Sequence, residues 1–83
     1  IENKTFKVEV VDISGTKLVG KKIEELKLKE NYKLFIVGIL RNDEFQLGPS
    51  KNYLIKKEDK LVVFGENKGL ENFRKDFLED YSK

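Results

Sequence analysis

The sequence contains no cysteine, no histidine, no methionine and no tryptophan, and a single proline among its 83 residues. Without cysteine and histidine, Cys/His zinc sites, cysteine nucleophiles and imidazole acid–base chemistry are excluded from this chain on its own. No disulfide can staple it, so a domain near the lower size limit for a self-sufficient core has to be held by packing. The longest apolar run is far shorter than the roughly 18 residues expected of a transmembrane helix, and no secretory apolar segment opens the chain. The domain is therefore expected to be soluble. A strong charge of one sign is missing too. Seventeen basic against fifteen acidic residues leave a net charge of only +2, a mixed-sign surface without the field that grips nucleic acid or an anionic membrane. The lack of methionine and the start at Ile1 are expected of a fragment of a longer protein, forming one domain over residues 1–83.

What is present is organised around Leu34 to Leu40, a continuous apolar run closed by Arg41. A run this short, rich in β-branched residues and flanked by charge, predicts a central strand buried on both faces. Before it, residues 4–11 alternate, with Phe6, Val8 and Val10 on one side and Lys7 and Glu9 on the other, the pattern of a half-buried strand. Val19, Ile23 and Leu26 recur at helical spacing, which predicts a short amphipathic helix capped by Ser14 or Thr16. Gly20 in that stripe points either to close backbone packing or simply to the start of the helix. Residues 29–32 are read as a connection.

After the central run, Asn42-Asp43 predicts a tight hairpin, because both residues tolerate positive φ. The hairpin leads into a short strand, Glu44 to Leu47, that ends at the turn Gly48-Pro49-Ser50. Tyr53 to Ile55 is a brief apolar patch. Leu61 to Phe64 predicts a second continuous strand, stopped by Gly65. Asn67 then caps a helix whose apolar stripe is Leu70, Phe73, Phe77, Leu78 and Tyr81. The predicted fold class is α+β: a small, mostly antiparallel sheet with two helices packed on it, in the order βαββββα.

Enzyme chemistry finds little footing here. The pairs Glu24-Glu25, Glu58-Asp59 and Glu79-Asp80 are adjacent residues that point apart, and they read as solvated charge. The glycines show no phosphate-loop spacing. Phe6, Phe35, Phe45 and Phe64 occupy the apolar phases of their strands and read as core, not as a stacking platform for bases. Arg41 offers a binding argument, since a guanidinium at the end of the central strand suits a phosphate or carboxylate. The competing reading is a strand-end cation that reaches into water.

Four stretches, taken in order, resemble a known family: Leu18 to Leu26 with Val19-Gly20-Lys21; Phe35 to Arg41; Pro49-Ser50; and Leu54 followed by Glu58 to Gly65. The pattern is similar to that of the TrkA C-terminal domain, also called RCK_C, with Lys22 where the family usually has threonine and Glu58 where it usually has glycine. The resemblance implies a non-enzymatic, cytosolic regulatory domain of a potassium channel, an uptake system or a related ion transporter, held at the inner face of the membrane through its parent protein or complex. It implies a homodimer, no nucleic-acid partner and, in a subset of bacterial members, cyclic di-AMP bound at the dimer interface as a regulatory ligand; no cofactor is otherwise implied. By position in the family pattern, Ile36 and Val37 would form an apolar wall, Arg41 and Asn42 the phosphate and polar contacts, and Pro49 a rim. The alternative is a structural dimerisation module without a small-molecule ligand.

Overall fold

The structure is a computed structural model that describes residues 5–79. Among these, four strands form one antiparallel sheet: β1 (Phe6–Asp12), β2 (Leu34–Arg41), β3 (Glu44–Leu47) and β4 (Lys60–Glu66), in the spatial order β1-β4-β2-β3. Two α-helices, α1 (Leu28–Tyr32) and α2 (Asn67–Arg74), contribute Leu28, Leu70 and Phe73 to the buried cluster. The α+β class and the helices on a small antiparallel sheet match the sequence expectation. Tyr81 and Asp80 lie outside the described residues.

The hairpin forms where predicted. Asn42 and Asp43 have φ of 51° and 67°, and Arg41 pairs with Glu44 across a two-residue turn. Positive φ at both central positions matches the right-handed twist of the flanking strands. The fifth expected strand is reduced to one bridge, Lys22 to Leu54.

The expected helix around Val19 does not form. Gly20 has φ of 91°, which ends any helical path there, and its conformation rather than close packing accounts for the glycine. The segment instead runs alongside residues 51–55. The Gly20 N–H donates to the Ile55 carbonyl (2.8 Å), the Ile55 N–H to the Lys21 carbonyl (2.9 Å), and the Ile23 N–H to the Tyr53 carbonyl (3.1 Å). Only a 3₁₀ turn, Ile23–Leu26, follows before α1, which occupies the expected connection. Thr16 serves a turn, not a helix cap: its hydroxyl donates to the Ile13 carbonyl (2.7 Å) and accepts from the Leu18 N–H (3.1 Å). Asn67 is likewise the first residue of α2 and makes no side-chain cap.

The core lies on one side of the sheet. Val11, Leu34, Ile39, Leu61 and Val63 point into it, covered by Ile13, Leu18, Leu26, Leu28, Ile55, Leu70 and Phe73. Among the described residues nothing covers the opposite face, which corrects two expectations. The central strand is not buried on both faces. Phe6, Phe35, Phe45 and Phe64 are not core but 37–54% exposed, alongside Val8, Val10 and Leu47. Alternation identified the two faces of β1 correctly, yet the covered side is that of Val11, not that of Val8. Nor does Gly65 stop β4, which continues to Glu66; a Cβ on Gly65 would stand 2.3 Å from the Leu34 side chain.

Candidate functional site

The site residues expected from the sequence fall into two groups. The first lies on the helix-covered side of β2. Ile36, half-buried, lines a cleft of about 430 Å³ together with Ile23, Leu28, Leu34, Phe35 and Pro49. Lys27, Lys29 and Lys51 stand around it with Glu24 and Glu30, so an apolar floor is ringed by charge of both signs. The Lys29 ammonium lies 5.9 Å from the centre of the Phe35 ring, within cation–π range. Val37 occupies a β-bulge between Ile36 and Gly38, and its carbonyl accepts the Gly48 N–H at 2.8 Å. That bond ties the turn carrying Pro49 to β2. A bulge here re-aims the strand between its apolar start and its polar end.

The second group sits at the far end of β2. Arg41 and Asn42 line a smaller cleft with Ile39, Glu44, Phe45, Gln46 and Tyr53, and it shares no residue with the first. Asn42 is exposed at the hairpin turn. Within one chain, then, the structure joins Ile36 to Pro49 and Arg41 to Asn42, but does not bring the two pairs into one cavity. The segment from Pro49 to Tyr53 contributes to both clefts.

Arg41 does not reach freely into water. Its Nε donates to Asp59 Oδ1 at 2.8 Å, and its Nη2 donates to the Tyr53 hydroxyl. Tyr53 in turn donates to Asp59 Oδ2 at 2.7 Å, which also accepts the Lys56 N–H at 2.9 Å. The guanidinium carbon is 5.7 Å from the Tyr53 ring centre. Asp59 is 0% exposed, so its sequence reading as solvated charge is corrected. Burial opposes its ionisation, but the hydrogen bonds from Arg41, the Lys56 amide and Tyr53 outweigh that penalty and hold its carboxyl below the usual value. For Tyr53, burial and the neighbouring Asp59 carboxylate raise the phenol. The hydrogen bond to Asp59 raises Arg41 further, keeping it charged at any working pH.

This arrangement can present a fixed guanidinium edge, since the Arg41 side chain remains 34% exposed. Its carboxyl is held low, while its phenol and its guanidinium are held high. No group of three or more metal-ligating side chains converges among the described residues. Sequence reading missed Asp59 and Tyr53 as partners of Arg41. The available signal was local: an aspartate directly ahead of an apolar strand, where β4 starts and a polar side chain can turn inward.

A four-stranded antiparallel sheet with helices on one side, an apolar cleft and an anchored strand-end arginine together define a small α+β domain. The family model for the TrkA-C domain matches residues 7–78, and the chain belongs to that family. It is 36% identical over 74 residues to the K(+)/H(+) antiporter subunit KhtT of Bacillus subtilis (strain 168), covering 88% of this chain and 42% of that protein. The chain thus spans under half the length of this curated relative. Among solved structures, the RCK C domain of the potassium transport protein KtrA, in complex with cyclic diadenosine monophosphate, superposes with a TM-score of 0.79 at 25% identity. That match covers 86% of this chain and 82% of the other. The RCK_C domain dimer of Streptococcus agalactiae BusR, also in complex with c-di-AMP, shares the fold at 20% identity and a TM-score of 0.71, covering 82% of this chain and 85% of that one. BusR is also solved with its busAB-promotor DNA, in a chain of which this domain matches 34%.

Proposed function

We propose that this domain is a cytosolic, non-enzymatic sensor of a potassium channel, uptake system or related ion transporter, and that it binds cyclic di-AMP between two copies of itself. The observation that carries this reading is the similarity to the KtrA domain in complex with that dinucleotide, at 25% identity over most of both chains. Local geometry supports it. Ile36, Val37 and Pro49 give one end of the site an apolar wall for a base. Arg41 and Asn42 give the other end donors for a phosphate. A two-fold dinucleotide fits a two-fold seam, where the two groups that one chain keeps apart meet across copies. Binding regulates transport only through a difference in affinity between two states of the assembly.

The pairing of Arg41 with Asp59 favours a second reading, a dimerisation module with no small-molecule ligand, because the carboxylate already neutralises the cation. Titration calorimetry with cyclic di-AMP separates the two. The wild-type chain is expected to release heat, and Arg41→Ala to bind at least tenfold more weakly, a loss of about 1.4 kcal/mol or more. Arg41→Lys, which keeps a charge beside Asp59 but lacks the planar edge, is expected to fall between them. A folded wild-type chain that gives no heat sinks the dinucleotide reading.

A further inference from the structure

We infer that Tyr53 and Asp59 are positioning residues for Arg41: they hold one edge of its guanidinium and leave the other edge, Nη1 with the outer N–H of Nη2, to take two oxygens of a phosphate. This rests on the reading above for the ligand that brings the phosphate, and adds the groups that aim the cation.

A guanidinium carries five N–H donors in a fixed plane. Among the described residues two of them are engaged, Nε–H by Asp59 Oδ1 at 2.8 Å and one N–H of Nη2 by the Tyr53 hydroxyl. That hydroxyl donates onward to Asp59 Oδ2 at 2.7 Å, so the three side chains close a ring. A ring that starts from Nε closes on the N–H of Nη2 that faces the same way, and the two engaged donors therefore form one edge. Two parallel donors remain at the tip, one on Nη1 and one on Nη2. This is the fork that meets a phosphate through two bonds at once.

Both anchors are fixed by the backbone. The Asp59 N–H donates to the Lys56 carbonyl at 2.9 Å while its Oδ2 accepts the Lys56 N–H at 2.9 Å, so a turn closes on the carboxylate. Tyr53 is tied through both of its backbone groups, its N–H to the Ser50 carbonyl (2.9 Å) and its carbonyl to the Ile23 N–H (3.1 Å). An arginine ordered in this way before a ligand arrives loses less rotamer freedom on binding. Glu44 stands opposite Arg41 across the hairpin and lines the same cleft, where a cross-strand ion pair would be the ordinary solution. Among the described residues the carboxylate that pairs with Arg41 is Asp59 instead. Asp59 has no exposed surface, so it grips the guanidinium from inside, and the 34% of the Arg41 side chain that stays exposed is the part turned away from it.

Side-chain ¹H–¹⁵N NMR of the whole chain, with inorganic phosphate as the probe, tests this. Arg41 and Arg74 are the only arginines in the sequence, so Arg41→Lys assigns the signals. In the wild type the two Nη signals of Arg41 are expected to be resolved from each other, and phosphate to shift them while Nε–H stays in place on Asp59. Tyr53→Phe keeps the ring and the backbone ties, and is expected to weaken the phosphate response and cyclic di-AMP binding at least threefold. Added to Arg41→Ala, the same change is expected to cost nothing more, because Tyr53 acts through Arg41. Merged Nη signals in the wild type overturn the inference, as does a phosphate shift of Nε–H as large as that of Nη, or no shift of either. A Tyr53→Phe loss of equal size with and without Arg41 overturns it too. The wild-type titration decides even where Tyr53→Phe fails to fold. Absent dinucleotide heat with a phosphate shift confined to the Nη signals defeats only the reading of the ligand. Dinucleotide heat with a phosphate shift that reaches Nε–H defeats only this one.

Discussion

Asp59 is fully buried and nevertheless ionised, because Arg41, Tyr53 and the Lys56 amide satisfy both of its oxygens. An ion pair of this kind is weak evidence of net stabilisation, but removing one partner is costly, since the other charge is left buried without compensation. Asp59→Asn is therefore expected to lower unfolding stability at pH 7 by about 2–3 kcal/mol, toward the low end for buried pairs because Arg41 is partly solvated. The sign of the pH dependence follows from the lowered carboxyl. The stabilisation is complete above the unfolded-state value near 3.9 and is lost as pH falls through the lower folded value. Denaturant titrations of the wild type between about pH 5 and 2 should show this acid-side loss, and Asp59→Asn should show less of it. Equal acid sensitivity in both would remove Asp59 from that role.

At the scale of elements, Gly69 decides how α2 docks. A Cβ there would sit 2.2 Å from the Tyr32 carbonyl oxygen, at the end of α1. Backbone leaves no room to yield. In an isolated helix, glycine to alanine gains roughly 1 kcal/mol; here the clash is expected to reverse the sign, and Gly69→Ala to cost about 1–3 kcal/mol in chemical denaturation. A neutral or stabilising result would mean that α2 stands farther from α1. The same contact region carries an aromatic cluster, with Tyr32 edge-on to Phe73 at 5.8 Å and to Phe77 at 6.0 Å. The periodicity of α2 foretold Leu70 and Phe73 as buried, because a stripe at helical spacing needs no knowledge of its partner. The helix expected around Val19 failed for the opposite reason. Its apolar spacing was genuine, but Gly20 at φ 91° and the backbone bonds to residues 51–55 offered those side chains another way into the core.

For the molecule as a whole, the described residues pack the sheet on one side only. A domain of this size has a marginal core, so any ligand that binds only the folded chain adds stability by mass action. Under the proposed function, the thermal midpoint of the wild type is accordingly expected to rise with cyclic di-AMP concentration, and that of Arg41→Ala to rise less. A wild-type midpoint independent of the dinucleotide would contradict the ligand reading. Each chain keeps Ile36 with Pro49 and Arg41 with Asn42 in separate clefts.

The sequence by itself determined the parts whose causes are local. Asn42-Asp43 sets the hairpin through positive φ, Gly48-Pro49-Ser50 ends β3, alternation defines the faces of β1, and the missing cysteine and histidine remove whole classes of chemistry. The order of four short motifs was also enough to carry the family. Tertiary structure alone decided which face of an apolar strand is covered, because period-2 alternation separates two faces without saying what packs on either. It alone turned Asp59 inward, since a carboxylate survives burial only beside donors, and Arg41, its ion-pair partner, stands 18 residues away at the end of β2.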